Sequence, residues 1–301
     1  MRKEGILVFN GLEKSFGDKK VLRGLDMSVP EGSVFGFVGR NGAGKTTAMK
    51  AALGLLRPDG GEITVAGERV RFGQTPTNRF VGYLPDVPEF YSFMTAREYL
   101  KLCGESLEMD KKDIDVRSSE LLSLVGLDGE KHRIRGFSRG MKQRLGIAQA
   151  LLGRPRLLIC DEPTSALDPL GRKEILDILS SAREHTTVLF STHILSDVER
   201  ICTDIALLDG GRIVMQGSVD ELKSIHRAEE FAVETADEQG ALMLKGAFHS
   251  CRTDGNGRLV FSGGEDCMFE VIEFIKDNNI SFNKVEKCEP TLESLFVEAV
   301  K

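Results

Sequence analysis

Three short apolar runs predict the framework of the fold. They lie at residues 33–38, 157–160 and 187–190, and each is followed by glycine or polar residues. Runs this short and apolar are typical of strands buried on both faces of a sheet, which have no solvent face for alternating polar residues. Residues 47–56, shortly after the first run, form an apolar-rich segment that predicts a helix. We therefore predict an α/β fold in which strands and helices alternate around a parallel sheet.

The remaining pattern divides the chain into regions of different secondary structure. Residues 5–75 alternate short strands with turns, whereas residues 95–150 are rich in helical spacing. The character changes again near residue 222. We predict a first domain over residues 1–222, with a helical subdomain at about 87–150, and a second domain over residues 223–301.

The second predicted domain combines strands and helices. The strands are predicted at residues 230–234, 247–254, 258–261 and 280–285, and the helices at residues 265–277 and 291–300. These elements indicate a small accessory α+β domain, for which a ferredoxin-like arrangement is one candidate. Its side chains form no set that suggests catalysis, and both a regulatory role and a role as a dimer brace stay open.

Composition and charge narrow the class of protein, its partners and its expected cellular location. The chain is 41% hydrophobic and 29% charged, which is ordinary for a globular protein. Its net charge of −6 disfavours nucleic acid as a partner, because nucleic-acid-binding domains carry a basic face. No apolar run reaches the roughly 18 residues of a membrane span, and the first residues lack a secretory signal. We expect a cytoplasmic protein whose six scattered cysteines are reduced.

Residues 39–46, GRNGAGKT, match the phosphate-binding loop pattern G-x-x-x-x-G-K-[ST]. The predicted strand before them and the predicted helix after them supply the context in which this pattern binds a nucleoside triphosphate. Backbone N–H groups would face the phosphates, Lys45 would contact them, and the Thr46 hydroxyl would hold Mg²⁺. A glycine-rich turn with an exposed lysine is the plainer alternative. The residues predicted to bind ATP here are Gly39, Asn41, Gly42, Ala43, Gly44, Lys45, Thr46 and Thr47.

A second motif, LLICDEP, places Asp161 and Glu162 directly after an apolar strand. In parallel α/β sheets, ligands gather at the carboxyl ends of the strands, where the phosphate loop also lies. We predict that Asp161 holds Mg²⁺ and that Glu162 orients and deprotonates the attacking water. Acids at strand ends can also simply cap the next helix.

The segment between the two motifs, FSRGMKQRLGIAQALLGRPRLLICDEP, resembles the ATP-binding subunits of ABC (ATP-binding cassette) transporters. The resemblance covers roughly residues 5–222. It implies a P-loop NTPase (RecA-like) core with an antiparallel β subdomain and an inserted helical subdomain, followed here by the small α+β domain. The ending is similar to the ATPase subunits of the drug-resistance and sodium-efflux exporters.

Several site residues follow from the resemblance. Ser138 and Gly140 stand in the family's signature, which would meet the γ-phosphate bound by the opposite subunit, although Arg139 and Met141 depart from the usual L-S-G-G-Q. A serine at a helix start is also an ordinary N-cap, and the two roles are compatible. Residues 165–168 resemble the D-loop at the dimer interface. His193 resembles the switch histidine and is predicted to be catalytic, together with Glu162 and Lys45.

Phe16 resembles the aromatic residue that stacks on adenine, since aromatic faces accept bases well. A core aromatic beside a turn is the alternative for this residue.

One position departs from the family pattern more strongly. Asp86 stands where the Q-loop usually has Gln, and its carboxylate could still reach Mg²⁺ or the attacking water. The apolar cluster that follows is the candidate docking surface for a membrane subunit, because aromatics and Met also fill interfaces. Burial of the cluster in the core is the alternative. Its members are Pro88, Phe90, Tyr91, Phe93 and Met94.

The resemblance implies an ATPase with ATP and Mg²⁺ as ligands, bound to a separate membrane-spanning permease at the inner face of the cell membrane. Two copies, or this chain and a related ATPase subunit, would close head to tail around two ATP molecules and power transport, with export favoured. The transported substrate is not encoded in this subunit. ATPases of chromosome or repair type, which insert long heptad segments between the motifs, and cytosolic ABC factors, which typically carry two cassettes, are the rival classes.

Overall fold

The computed structural model describes residues 5–73, 75–225, 230–248, 251–254, 257–288 and 292–299. These residues fall into two compact units, Met1–Val219 and Asp220–Ala299. The boundary predicted after residue 222 falls within the helix Val219–Ile225, which spans this division.

Fourteen strands and ten α-helices are present in the described residues. The strands are β1 (Leu7–Phe16), β2 (Lys19–Val29), β3 (Val34–Val38), β4 (Gly60–Val65), β5 (Glu68–Arg69), β6 (Val81–Leu84), β7 (Leu157–Cys160), β8 (Thr187–Thr192), β9 (Asp204–Asp209), β10 (Arg212–Ser218), β11 (Glu230–Thr235), β12 (Cys251–Thr253), β13 (Leu259–Ser262) and β14 (Phe282–Lys287). The helices are α1 (Lys45–Ala52), α2 (Ala96–Ser106), α3 (Lys111–Leu124), α4 (Arg139–Leu151), α5 (Pro169–Ala182), α6 (Leu195–Ile201), α7 (Val219–Ile225), α8 (Glu238–Ala247), α9 (Glu265–Asp277) and α10 (Leu292–Ala299).

The main sheet has the order β10-β9-β3-β8-β7-β6. All its neighbours pair in parallel except β10, which pairs antiparallel with β9 at one edge. Every residue of β3, β7 and β8 is buried, as their continuous apolar sequences predict. Because β3, β7 and β8 are adjacent and parallel, the residues that follow them meet at one edge of the sheet. The predicted α/β architecture is confirmed.

A second, antiparallel sheet has the order β2-β1-β4-β5. Its inward residues, such as Phe9 and Met27, share one hydrophobic core with Phe35 of β3 and Met49 of α1. The helix α1 begins two residues earlier than predicted and ends at Ala52. It ends there because Gly54 takes a left-handed φ of 70°, at which the chain leaves the helical path.

The helical region α2–α4 rests on the edge strand β6 through α4. Gly82 of β6 and Gly146 of α4 allow this close packing, since a Cβ on Gly82 would lie 2.1 Å from the carbonyl oxygen of Ala150. Helix α2 begins with a capping box in which Thr95 and Glu98 hydrogen-bond each other. The hydrogen bonds from the backbone and side chain of Thr95 hold the pKa of the Glu98 carboxyl below its ordinary value.

The second unit has a β-α-β-β-α-β order, with sheet order β12-β13-β11-β14 and antiparallel pairing throughout. Alternate residues of the central strands, including Phe231 and Phe261, pack on α8 and α9 to form its core. This is the ferredoxin-like arrangement.

One expectation for the second unit is corrected, and one helix was not predicted. The strand predicted at 247–254 is shortened, because Ala247 ends α8, a helix that the apolar pattern did not predict; residues 249–250 lie outside the described residues. Asp237 starts α8 by accepting a hydrogen bond from the Gly240 amide at 2.7 Å.

In the described part of both units, no helix combines the length and apolar character that a bilayer crossing needs.

Candidate active site

The loop between β3 and α1 wraps around the start of the helix. Gly42 and Gly44 adopt left-handed φ values of 80° and 116°, which residues with a Cβ rarely reach. Gly44 also packs so closely on β2 that a Cβ would lie 2.8 Å from Leu22. The amide end of α1 therefore opens into a concave loop, which is the arrangement that favours anions.

Lys45 extends from this helix start back over the loop. Its Nζ donates to the carbonyl oxygen of Gly39 at 2.7 Å and lies 3.1 Å from Glu162 Oε1. Its side chain is only 5% exposed, so the charge is held inside the site and not in solvent. Glu162 Oε1 lacks a hydrogen bond of good geometry among the described residues, which makes the Lys45 contact an ion pair without a directed hydrogen bond.

Thr46 and Asp161 meet beside the loop. The Thr46 hydroxyl donates to Asp161 Oδ1 at 3.1 Å, and the Ser191 hydroxyl donates to the same oxygen at 2.8 Å. Asp161 is 3% exposed. Thr46 and Asp161, each predicted to hold Mg²⁺, are thus in direct contact, and both side chains offer the hard oxygen atoms that Mg²⁺ prefers.

Glu162 lies between Lys45 and His193. Its Oε2 is 2.9 Å from His193 Nδ1, and its backbone amide donates to Ser191 Oγ at 2.9 Å. Ser191 therefore contacts both successive acids, a role that sequence reasoning did not assign to it. The sequence signal was weak, since Ser191 is one of several hydroxyl residues at the end of β8.

Most of these groups line one cleft of about 460 Å³, and Asp161 and Ser191 lie next to it through their hydrogen bonds to Thr46 and Glu162. Its walls contain most of the predicted loop residues together with Asp86, Glu162 and His193, and it also includes Val21 and Ser165. Val21 was missed because it belongs to the antiparallel sheet, and nothing in its local sequence places it against the loop. Basic, acidic and imidazole groups thus converge at the carboxyl edge of the sheet.

Comparison with known proteins identifies the family of this chain. The family profile described as ABC transporter matches residues 22–165. The bacitracin transport ATP-binding protein BcrA of Bacillus licheniformis is 35% identical, over 98% of this chain and 97% of that protein. The daunorubicin resistance ATP-binding protein DrrA3 of Streptomyces coeruleorubidus is 33% identical, over 97% and 94%. This chain belongs to the ABC transporter ATP-binding family.

A solved structure supports the same conclusion. The ABC subunit cbiO1 of Clostridium perfringens, described as part of the transporter complex cbiONQ, superposes with a TM-score of 0.68 at 25% identity. The match covers 74% of this chain and 92% of that subunit. The chain is therefore an ATP-binding ABC ATPase, of a family whose activity is coupled to transport.

Ser138 and Gly140, the predicted signature residues, are not among the residues that line the cleft. Ser138 caps α4 by accepting a hydrogen bond from the Met141 amide at 3.2 Å. Ser138 is exposed, and Gly140 is so open that an added Cβ would meet nothing closer than 3.9 Å. The start of α4 is therefore accessible from outside the chain.

Phe16 also lies outside the cleft lining, at the end of β1. Its ring is 50% exposed, and Lys14 Nζ lies 5.4 Å from the ring centroid. The core alternative for this residue is wrong, because half of the ring faces solvent. Stacking on adenine stays a prediction.

Asp86 lies at the mouth of the cleft. Its Oδ1 accepts a hydrogen bond from the Ser165 hydroxyl at 2.6 Å, and Arg139 Nη2 lies 3.6 Å from the same oxygen. Its backbone carbonyl accepts a hydrogen bond from the buried Gln143 amide at 2.8 Å. The ABC ATPase thus anchors this segment to α4 through its backbone, while its carboxylate stays at the cleft.

Tyr83, in the strand just before Asp86, remains protonated beside the acids. Burial, followed by the negative charges of Asp161 and its neighbours, raises the pKa of Tyr83 to about 12. The strand therefore adds no further negative charge to the site at neutral pH.

The aromatic cluster after Asp86 has half-buried and exposed members, and none of them is fully buried. Phe90 packs edge-on against the buried Tyr99, with ring centroids 5.1 Å apart. In contrast, Tyr91 and Phe93 are 56% and 59% exposed and lie 5.9 Å apart. Two aromatic rings thus stand together in solvent beside the loop that reaches the cleft.

Hydrogen bonds to the buried Asp197 connect the segments that follow β7 and β8. Asp197 of α6 is 3% exposed and accepts hydrogen bonds from Thr164 Oγ1 at 2.8 Å and Arg172 Nη2 at 2.6 Å. It connects the segment after Glu162 with the helix after His193.

Proposed function

We propose that two copies of this ABC ATPase close head to tail around two ATP molecules, hydrolyse them, and power a separate membrane permease. The observation that carries this proposal is the separation of two anion-binding elements. Lys45 and the phosphate loop lie in the cleft, whereas Ser138 and Gly140 lie open on the outside of the same chain. A second chain can bring its own signature residues to the nucleotide in this cleft.

Mg²⁺ fits the residues at the cleft. Thr46 and Asp161 already hold an oxygen pair 3.1 Å apart, and Asp86 adds a carboxylate at the cleft mouth. Proteins bind Mg²⁺ with one or two carboxylates plus substrate phosphates, so a complete protein cage is not needed. When bound, the ion would neutralise part of the phosphate charge.

The protein groups for hydrolysis are arranged in a chain of contacts. Lys45 is placed to stabilise the negative charge of the transferring phosphoryl group. Glu162 is placed to take a proton from the attacking water, and His193, 2.9 Å from its carboxylate, orients it. The catalysis is mainly electrostatic positioning, as expected for phosphoryl transfer.

The proposal also includes coupling of ATP hydrolysis to a membrane permease. The exposed pair Tyr91 and Phe93 offers an apolar contact surface within a few residues of Asp86, so movement at the cleft can be passed to a docked helix. The near full-length similarity to proteins named for bacitracin transport and daunorubicin resistance supports export as the direction. The chain would then act at the inner face of the cell membrane, with a related subunit as the alternative partner to a second copy.

Sedimentation velocity of the Glu162→Gln variant tests the dimer, because that variant should bind Mg·ATP without consuming it. We expect a monomer without nucleotide and a dimer with Mg·ATP. The matched control is Glu162→Gln combined with Ser138→Arg, which keeps the cleft but obstructs the contact from the second chain and should stay monomeric. Steady-state turnover of the unaltered chain should rise steeply with protein concentration. A Glu162→Gln variant that binds Mg·ATP and remains monomeric would contradict the homodimer.

A further inference from the structure

Arg139 lies against the cleft that its own chain uses for nucleotide. Its Nη2 donates to Ser165 Oγ at 3.2 Å and is 3.6 Å from Asp86 Oδ1, while Ser165 donates to the same Asp86 oxygen at 2.6 Å. Three segments meet in this contact: the loop after β6, the loop after β7 and the start of α4. Asp86 and Ser165 line the cleft, but Arg139 approaches from outside it.

The contact between Arg139 and Asp86 compensates one of the negative charges of the cleft. Two carboxylates line the cleft directly, those of Asp86 and Glu162, and Asp161 lies beside them. Glu162 has Lys45 at 3.1 Å as its counter-ion. For Asp86, the cation within 4 Å in the described part of the chain is Arg139. An uncompensated carboxylate at the cleft mouth would repel a polyphosphate by ordinary Coulomb interaction.

We propose that Arg139 is a positioning residue for the nucleotide site. Its guanidinium holds the Asp86 carboxylate and the Ser165 hydroxyl at the cleft mouth and offsets the negative charge there. Asp86 and Arg139 then act as one unit, and the effect of either charge on nucleotide binding depends on the other. The inference rests on the proposed function only in taking this cleft as the nucleotide site.

The pair also links two parts of the proposed dimer. Arg139 directly follows Ser138, the residue proposed to meet the nucleotide of the second chain. The contact with Asp86 therefore connects the cleft of one chain with the surface that this chain presents to its partner. The size of the effect is limited, because the Arg139 and Asp86 side chains are 47% and 49% exposed. Pairs this exposed change an equilibrium by about two- to five-fold.

A double-mutant cycle with ADP as the ligand isolates the pair. ADP lacks the γ-phosphate that would bridge two chains, so its affinity reports the cleft of a single chain. The four proteins are the unaltered chain, Arg139→Gln, Asp86→Gln and the double variant, with Arg139→Lys as the control that keeps the cation. Each is titrated with ADP by calorimetry, with and without Mg²⁺, at low salt and at about 1 M NaCl. Thermal unfolding of each variant confirms that it is folded.

We expect Arg139→Gln to weaken ADP binding about two- to five-fold at low salt, with the larger change for metal-free ADP. The same substitution in the Asp86→Gln background should have no effect, Arg139→Lys should bind as the unaltered chain does, and high salt should remove the difference. Equal changes in both backgrounds, or no change at low salt, would overturn the inference while leaving the nucleotide site intact. Failure of the unaltered chain to bind ADP would overturn the proposed function and this inference together.

Discussion

The substitution Glu162→Gln separates binding from catalysis at this site. It keeps the size of the side chain and its ability to contact His193, but it removes the carboxylate charge that lies 3.1 Å from Lys45 and 2.9 Å from His193. Loss of a general base lowers turnover by about 10²- to 10⁴-fold. That range corresponds to about 3–5.5 kcal/mol of activation free energy.

The same change should act on the nucleotide-free protein in a second way. Lys45 is 5% exposed and loses its counter-ion, although it keeps the carbonyl of Gly39 as a hydrogen-bond partner. We expect a loss of about 1–3 kcal/mol in the free energy of unfolding without nucleotide. In the unaltered chain, the ATP phosphates and the Glu162 carboxylate would compete for Lys45. Added ATP should therefore restore the stability lost in Glu162→Gln, because its phosphates replace the missing negative charge beside Lys45 and meet no competing carboxylate.

Two assays on the same preparations test this reasoning. Steady-state phosphate release measures turnover, and denaturant unfolding with and without ATP measures stability. Glu174→Gln is the matched control, since Glu174 lies on the exposed surface of α5 outside the cleft and its loss should leave turnover unchanged. Near-normal turnover of Glu162→Gln would remove Glu162 from the role of general base. A stability loss that ATP does not reverse would refute the proposed competition for Lys45.

Three further substitutions probe other parts of the molecule. Lys45→Ala should weaken ATP binding by about 1.5–3 kcal/mol, because a buried charged donor is lost. Calorimetry should show this as a Kd raised roughly 10- to 150-fold. Unchanged affinity would mean that the lysine does not contact the phosphates. Asp197→Ala should lower the free energy of unfolding by about 2–4 kcal/mol in urea titrations, since it leaves the half-buried guanidinium of Arg172 and the buried hydroxyl of Thr164 without their acceptor. Gly82→Ala should cost about 2 kcal/mol or more in the same assay, because the added Cβ would lie 2.1 Å from a backbone oxygen of α4; a neutral effect would show that α4 can move away from the sheet.

The parallel sheet was predictable because three of its strands, β3, β7 and β8, are short and fully buried. The sequence VFGFV of β3 and the sequence LLIC of β7 have no polar position, so their patterns allow few alternatives. The helix α8 was harder to predict. It begins at Glu238, after the N-cap Asp237, and buries only Gly240 and Leu244, which leaves a weak apolar pattern. Its position depends on packing against Ile280 and the sheet of the second unit, which single-segment reasoning does not see.

The candidate site was also only partly predictable from single segments of the sequence. Local motifs predicted most of the residues that line the cleft, because the loop and the acid pair are each continuous in sequence, whereas Asp86 and His193 were predicted from the family resemblance. The contacts between motifs follow from sheet register and could not be predicted in the same way. Ser191 contacts Asp161 because β8 lies between β3 and β7, and Arg139 contacts Asp86 because α4 packs on β6. The catalytic roles predicted for Lys45, Glu162 and His193 stay predictions. The same holds for the metal-binding roles predicted for Thr46, Asp86 and Asp161.

The backbone at Glu162 explains how two adjacent acids serve one cleft. In an extended strand, successive side chains point to opposite faces, so Asp161 and Glu162 would diverge. Instead, Glu162 takes a left-handed φ of 47°, which costs a residue with a Cβ about 1–2 kcal/mol. Its amide donates to Ser191 Oγ and its carbonyl accepts from the Ser165 amide at 3.0 Å, so hydrogen bonds on both sides hold this conformation. Because the strained turn directs the carboxylate between Lys45 and His193, the residue after β7 is positioned for chemistry at a cost that the neighbouring strand and loop offset.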